Sequence, residues 1–166
     1  MSFVEAPLRF AGTGGVLVRR FKLDGDAAAG WLLAGAMQQA WAARDRTGWS
    51  RAYLVSVPLH PTKCRRRGFD QAAWLARRVA QRHRLRLAAG VLRRSRATLA
   101  QGDPRTISRE RNVEGVFEVV RPGIVEGRRI LLVDDVMTSG ATLRACARAL
   151  HGGGAREVAA LVACRS

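Results

Sequence analysis

The sequence predicts an α/β fold with a mainly parallel central sheet and flanking helices. Segments typical of strands alternate with segments whose apolar residues recur at helical spacing. The clearest strand, residues 130–133 (Ile-Leu-Leu-Val), is an uninterrupted aliphatic run, which is typical of a parallel strand covered on both faces. The 166 residues are enough for one domain with its own core and too few for two. We therefore expect a single domain over residues 1–166.

The first half of the chain predicts two helices and one strand. An alanine-rich helix is expected over residues 26–43. The apolar run 52–57, ended by Pro58, predicts a buried strand. The stretch 58–68 is predicted to be a loop, and Asp70 is expected to cap a second helix.

The second half continues the alternation of strands and helices. Short strands are predicted at residues 91–92 and 116–120, and the polar stretch 96–112 between them is expected to be a long loop. A helix over about residues 139–150 follows the aliphatic run and is ended by three glycines. The last predicted strand covers residues 158–162.

The net charge of +16, carried almost wholly by arginine, has two interpretations. A nucleic-acid partner requires the basic residues to form one patch. Alternatively, most arginines lie on solvated faces and a few bind a polyanionic small ligand. We favour the second interpretation, because no aromatic residues interleave with the basic clusters as a stacking surface requires. Trp31, Trp41 and Trp74 have the spacing of core residues.

The three cysteines and the absence of long apolar runs indicate the compartment. Cys64, Cys146 and Cys164 are far apart and form no Cys-x-x-Cys pair, so neither a disulfide framework nor a zinc site is expected. No run of about 18 apolar residues and no basic-then-apolar leader is present. We therefore expect a cytoplasmic protein that does not enter a membrane.

The strongest candidate for chemistry follows the aliphatic run. Asp134 and Asp135 stand at the edge where open α/β sheets bind ligands. Two adjacent carboxylates are costly to bury unless sugar hydroxyls or a cation satisfy them. The next residues are small, rich in hydroxyls and open a helix, which favours a phosphate there; they are Thr138, Ser139, Gly140, Ala141 and Thr142. This combination is typical of a ribose 5-phosphate site, the alternative being a turn followed by an ordinary helix cap.

Residues 130–142 resemble the phosphoribosyl pyrophosphate signature of the type I phosphoribosyltransferases. The resemblance implies a type I phosphoribosyltransferase-like fold in which Asp134 and Asp135 bind the ribose hydroxyls and residues 138–142 surround the 5-phosphate. It also implies Mg²⁺, held mainly by the pyrophosphate and hydroxyls of the ligand, as suits a hard ion that keeps its waters.

Residues 57–71, from Val-Pro-Leu-His-Pro to Arg-Gly-Phe-Asp-Gln, resemble the signature of the ComF-like, competence-associated members of that family. The position suits a pyrophosphate loop, because arginine forks fit phosphate oxygens; the candidates are Pro58, Leu59, His60, Lys63, Arg65 and Arg67. A solvated basic turn is the alternative. Asp70 replaces the family's asparagine, and the four-cysteine, zinc-ribbon-like segment often found at the start of the family is absent, so no zinc is expected.

The polar stretch 96–112 also resembles the family, which implies a flexible hood that closes over the substrate and excludes water. The candidate hood residues are Arg96, Thr98, Gln101, Arg109 and Asn112. Pro104 stands where the family usually has leucine. The alternative is a surface loop without such a role.

Three functions remain open for this sequence. The first is an enzyme that transfers phosphoribosyl groups to an unidentified acceptor; its general base is unknown, because Thr138 stands where enzymes acting on 6-oxopurines carry aspartate. The second is a non-catalytic regulator that binds phosphoribosyl pyrophosphate or a nucleotide. The third is a DNA-uptake component that binds single-stranded DNA or competence proteins. The oligomeric state, a homodimer included, is also open.

Overall fold

The computed structural model describes residues 1–45, 47–95 and 115–166. Its elements are β1 (Val4–Glu5), β2 (Leu8–Arg9), α1 (Thr13–Arg19), a π-helical turn (Arg20–Asp24), α2 (Ala27–Ala43), β3 (Tyr53–Ser56), α3 (Pro61–Arg67), α4 (Gln71–His83) and β4 (Arg86–Leu87). They continue with β5 (Leu92–Arg94), β6 (Phe117–Val119), α5 (Pro122–Val125), β7 (Arg129–Met137), α6 (Ala141–Gly152) and β8 (Glu157–Arg165). In the described part of the chain, no helix is both long and apolar enough to cross a membrane.

The central sheet has the strand order β1-β8-β7-β3-β4, and β2 also pairs with β8. The pairings described within it are parallel. β5 and β6 form a separate antiparallel pair. The predicted α/β class with a mainly parallel sheet and flanking helices is therefore confirmed.

Side chains of β7 enter two separate hydrophobic cores. Ile130 and Leu132 pack in the core formed with α6 and the β5–β6 pair. Leu131 and Val133 pack on the other face, against α2 and α4. Both faces of the strand are thus covered, which is the reason why its sequence is continuously aliphatic rather than alternating.

The two long helices of the first half begin where their side-chain caps predict. Asp26 accepts hydrogen bonds from the amides of Ala28 and Ala29, at 2.9 and 3.2 Å, and α2 follows. Asp70 accepts from the amide of Ala73 at 2.9 Å, and α4 follows. Such caps satisfy amides that the first helical turn leaves unpaired.

The stretch 58–68 contains a helix, so the prediction of a loop throughout was wrong. Pro61 occupies the first turn of α3, where a missing amide proton costs no hydrogen bond. The amide of Thr62 donates to Nδ1 of His60 at 3.3 Å. Gly68 ends the helix with φ 79°, a conformation that glycine adopts without strain. Pro61 thus marks the start of a helix within this stretch, and Gly68 marks its end.

β7 is longer than the predicted strand 130–133, and this moves the acidic pair. The strand extends to Met137, so Asp134 and Asp135 lie inside its last part and not beyond its end. β8 likewise extends past the predicted 158–162, to Arg165. Parallel pairing of the two strands continues there, with Val136 opposite Cys164.

The prediction that Trp31 packs in the core was wrong. Trp41 is fully buried, but Trp31 is 52% exposed. Its ring lies 5.5 Å from that of Trp74, and the guanidinium of Arg78 lies 4.3 Å from the centre of the Trp31 ring. Arginine and surface aromatic residues therefore do interleave, contrary to the expectation from the sequence. Trp74 and Arg78 are one turn apart on α4, with the guanidinium 4.8 Å from the centre of the Trp74 ring. Trp31 comes from α2, so only the packing of the two helices adds it.

Candidate functional site

The acidic pair lies near the carboxyl end of β7, with one member toward each core. Asp135 is only 6% exposed, and its Oδ2 lies 2.8 Å from Nζ of Lys22. Oδ1 of Asp134 accepts a hydrogen bond from the amide of Asp135 at 2.9 Å. Burial, followed by the charge of Asp135, raises the pKa of the Asp134 carboxyl to about 8. At neutral pH Asp134 therefore largely keeps its proton, while Asp135 has Lys22 as its ion-pair partner.

We expect the free energy of unfolding to fall as the pH rises between about pH 5 and 8. In this window Asp134 is protonated in the folded protein, whereas in the unfolded chain its pKa returns to 3.8 and the proton is lost. The folded state then binds more protons, so its stability decreases by up to about 1.4 kcal/mol per pH unit between the two pKa values, and less steeply as the folded pKa is approached. Urea unfolding of the wild type and of Asp134→Asn across this window measures the effect. The three histidines are common to both proteins, so equal pH slopes would contradict the prediction.

Cations from three parts of the chain gather beside the acidic pair. We call them the cationic cluster; they are Lys22 of the π-helical turn, Lys63, Arg66 and Arg67 of α3, and Arg94 of β5. Burial, followed by repulsion from the other four, lowers the pKa of the Lys63 ammonium. Arg94 is partly buried and interacts with Asp134. The five cations of the cluster thus outnumber the three carboxyl groups of the region, Asp70, Asp134 and Asp135.

α3 presents part of the predicted pyrophosphate loop to this cluster. Lys63 and Arg67 are four residues apart and share one face of the helix. Nη1 of Arg67 donates to Oε1 of the buried Gln71 at 2.9 Å, which fixes the guanidinium. Arg65 is exposed. The structure therefore brings two of the three predicted basic residues into the cluster, and His60 serves as the cap of α3.

Asp70 connects this segment to α4. Besides capping the helix, its Oδ2 accepts from the amide of Leu59 at 3.4 Å. The carboxylate thereby holds residues 58–60 against the start of α4. Its position in place of the family's asparagine thus has a local structural role.

Replacing Asp70 by alanine is expected to lower the free energy of unfolding by about 1 kcal/mol, because the amide of Ala73 loses its acceptor. Asp70→Asn keeps a side-chain oxygen at that place and is expected to cost only a few tenths of a kcal/mol. Chemical denaturation of both variants beside the wild type measures the difference. Equal losses would show that the charge matters, and not the capping oxygen.

The predicted phosphate-binding residues, which we call the turn 138–142, are residues 138–140 between β7 and α6 and the first two residues of α6. Gly140 precedes the helix with φ 73°, where a residue with a Cβ would be strained. The amide of Ala141 donates to Oγ of Ser139 at 3.4 Å. From the first turn of α6, Nη1 of Arg144 donates to the carbonyl of Ser139 at 2.9 Å. Thr138 and Thr142 are the ends of this turn, so the five residues lie directly beyond the strand that carries the acidic pair.

The predicted hood residues, Arg96, Thr98, Gln101, Arg109 and Asn112, lie outside the described residues. The strands before and after them, β5 and β6, pack on the face of the sheet toward which Asp134 lies. Across residues 1–45, 47–95 and 115–166, no group of three or more His, Cys, Asp or Glu side chains is placed to hold a metal ion.

Sequence reasoning missed three basic residues of this region, namely Lys22, Arg94 and Arg144. For Lys22 a signal was present: only two of the 29 basic residues are lysine, and both belong to the cationic cluster.

The two histidines at helix ends contact main-chain carbonyl oxygens. The ring of His83 lies 3.1 Å from the oxygen of Gln38, and the ring of His151 lies 3.2 Å from that of Ala155.

Comparison with known proteins gives one family match and several relatives. Residues 64–166 match the family model described as the phosphoribosyl transferase domain. The chain is 34% identical over 113 residues to the DNA utilization protein YhgH of Escherichia coli, which covers 68% of this chain and 49% of that protein. It is 28% identical over 106 residues to Competence protein F of Haemophilus influenzae, covering 63% of this chain and 46% of that protein.

The chain spans about half the length of the curated relatives it matches. Among solved structures, the crystal structure of TT1426 from Thermus thermophilus aligns with 80% of this chain and 70% of that chain, at 19% identity and a TM-score of 0.39.

Proposed function

Because the chain belongs to the phosphoribosyl transferase domain family, in its ComF-like branch, we propose that it binds phosphoribosyl pyrophosphate and transfers the phosphoribosyl group to an acceptor. The observation that carries the proposal is the acidic pair on β7, with the cationic cluster beside it and the turn 138–142 directly beyond it. In this arrangement the acidic pair matches sugar hydroxyls, the cationic cluster matches a pyrophosphate, and the turn 138–142 matches a single phosphate.

The acidic pair would bind the ribose hydroxyls through two different carboxyl states. Asp135 accepts hydrogen bonds as a carboxylate, and its ion pair with Lys22 fixes its orientation. Asp134, with its raised pKa, can donate a hydrogen bond as well as accept one. A pair of vicinal hydroxyls, each both donor and acceptor, fits such a combination.

The turn 138–142 would surround the 5-phosphate. Amides at the start of α6 have no partner inside the helix, and the positive end of the helix dipole favours an anion there. Gly140 keeps the backbone open to a close approach. The hydroxyls of Thr138, Ser139 and Thr142 add donors.

The cationic cluster would bind the pyrophosphate and stabilise it as it leaves. In the transfer, the bond from the anomeric carbon to the pyrophosphate oxygen breaks and a bond to the acceptor forms; the electron pair leaves with pyrophosphate. Cations that already surround the pyrophosphate stabilise the charge that develops there, without reorganisation. The acceptor's proton needs a base, and the described residues give no candidate for it.

We also propose that Mg²⁺ binds together with the ligand. The described residues near the cluster offer the acidic pair but no cage of several carboxylates, which fits an ion held mainly by ligand oxygens and water. When bound, the ion supplies positive charge that neutralises the pyrophosphate. The proposed location is the cytoplasm, which agrees with three free cysteines.

Calorimetric titration of the purified protein with phosphoribosyl pyrophosphate and Mg²⁺ tests the proposal. Saturable binding with one site per chain is the expected result. A folded protein that binds no phosphoribosyl pyrophosphate would refute it. Release of pyrophosphate in the presence of candidate acceptors then separates an enzyme from a regulator that only binds the ligand.

The surface around Trp31 favours a second candidate function, the binding of single-stranded DNA. Trp31 and Trp74 with Arg78 provide aromatic faces beside a cation, on a chain of net charge +16. The relatives named for DNA utilization and competence agree with this candidate. Its test is oligonucleotide binding that weakens steeply with salt and with Trp31→Ala, while phosphoribosyl pyrophosphate binding is unchanged. Binding that is insensitive to Trp31→Ala would exclude this surface.

A further inference from the structure

Lys22 is the charged residue that the N-terminal part of the chain contributes to the candidate site. It lies in the π-helical turn Arg20–Asp24, its side chain is 28% exposed, and its Nζ is 2.8 Å from Oδ2 of Asp135. π-helical turns are rare and are frequent at functional sites. The family match covers residues 64–166, so it assigns no role to this lysine.

The turn that carries Lys22 is anchored on both sides of it. The buried ring of Phe21 lies 5.2 Å from the ring of Phe69 and 5.2 Å from that of Trp74. Gly30 leaves room for this ring, because a Cβ at residue 30 would stand 2.6 Å from it. Arg20 pairs with Asp26 at 2.6 Å. The ammonium of Lys22 is therefore held at the acidic pair by packing as well as by charge.

The excess of positive charge around Lys22 favours the binding of a polyanion. Asp135 is a partner for one of the three donors of its ammonium. Lys63 is repelled by Lys22 and by Arg66, Arg67 and Arg94, so Lys22 shares with these arginines a neighbour that carries the same charge. Asp134 largely keeps its proton at neutral pH, so it compensates little of this charge. The five cations outnumber the nearby carboxylates of Asp70 and Asp135, and the excess positive charge is one that a doubly or triply charged ligand group would neutralise.

We propose that Lys22 binds the pyrophosphate group of the ligand, with its ammonium shared between Asp135 and a pyrophosphate oxygen. The inference rests on the proposed function and extends the pyrophosphate-binding residues beyond α3. A lysine suits this role because its compact ammonium carries three donors that can be divided between two acceptors on different sides of it. The alternative role for Lys22 is purely structural, as the partner of Asp135.

Titration calorimetry with inorganic pyrophosphate and Mg²⁺ tests the proposal without requiring transfer chemistry. Lys22→Met is expected to bind pyrophosphate about 10- to 100-fold more weakly, the loss for one hydrogen bond between charged groups. The control is Arg77→Met, which also replaces one cation by methionine, but at an exposed position of α4 that belongs neither to the cationic cluster nor to the turn of Lys22. The control is expected to stay within about twofold of the wild type. Equal affinities of Lys22→Met and the wild type would overturn the proposal.

The same comparison in an Asp135→Asn background separates binding from a structural role. There Lys22 has no carboxylate to hold, so an effect exerted only through Asp135 disappears. A further loss of at least about fivefold from Asp135→Asn to the double variant supports direct contact with pyrophosphate; no further loss would refute it. The double variant also lacks the stranded, nearly buried carboxylate of Lys22→Met, so it provides the measurement if that single variant does not fold.

The wild-type titrations distinguish this inference from the proposed function. A wild type that binds neither phosphoribosyl pyrophosphate nor pyrophosphate overturns both. A wild type that binds both ligands, with an unaffected Lys22→Met variant, overturns only the role of Lys22. Lys22→Arg is expected to recover part of the lost affinity, because it restores the charge but not the compact geometry.

Discussion

Replacing Asp134 and Asp135 together by asparagine is expected to weaken the binding of phosphoribosyl pyrophosphate by about 10- to 100-fold. Both carboxyls are proposed to bind ribose hydroxyls, but only Asp135 does so as a carboxylate, and one hydrogen bond to a charged group contributes about 1.5–3 kcal/mol. Calorimetric titration with Mg²⁺ present measures the loss. The variant should remain folded, because Asp134→Asn replaces a mostly protonated carboxyl by a neutral amide of the same shape.

The matched control removes two negative charges from exposed positions, with Asp45→Asn and Glu126→Gln. This control is expected to bind like the wild type. The two single variants are expected to lose different amounts of affinity for phosphoribosyl pyrophosphate. Asp135→Asn removes the partner of Lys22 and should account for most of it, whereas Asp134→Asn keeps a neutral donor and acceptor. Unchanged affinity of the folded double variant would contradict the assignment of the sugar site.

Leu132→Ala is expected to lower the free energy of unfolding by about 3 kcal/mol, within the range of 2–5 kcal/mol for such core truncations. Leu132 is fully buried in the middle of β7, where neighbouring strands and α6 leave little freedom to fill the cavity. The corresponding fall in melting temperature is about 6–12 °C. Thermal and chemical unfolding measure it.

Leu32→Ala is the matched control for this substitution. Leu32 lies on α2 and is 61% exposed, so its truncation opens no cavity. We expect a change within about 0.5 kcal/mol, because alanine also has the highest helix propensity. Similar losses at both positions would mean that the core around β7 is far more adaptable than its packing indicates.

The parts of the fold that the sequence predicted are those whose signals are local. The aliphatic run of β7 and the caps Asp26 and Asp70 each act within a few residues, and the structure places strand and helices there. The first 25 residues gave no prediction. β1 and β2 have two residues each and exist only through pairing with β8, and α1 begins at glycines without a side-chain cap. Tertiary contacts alone specify these elements.

The candidate site, too, was predicted only where its residues are close together in the sequence. Residues 134–142 are contiguous, so a local sequence pattern is enough to predict a sugar and phosphate site there. Lys22, Arg94 and the exposed Trp31–Arg78 contact depend on segments that are distant in the chain. Their nearness follows from how α1, α2 and α4 pack on the sheet, which periodicity does not encode.

The placement of the acidic pair toward both faces of β7 gives the molecule a mechanical property. Asp134 lies with the core of α6 and the β5–β6 pair, and Asp135 with that of α2 and α4. A ligand bound by both carboxylates links the two cores, because separating either core from β7 breaks the ligand's contact with one of the two carboxylates. Its binding energy is then added to the work of opening both cores, and hydrogen exchange slows throughout the two cores together. A ligand held by one face would protect only that face.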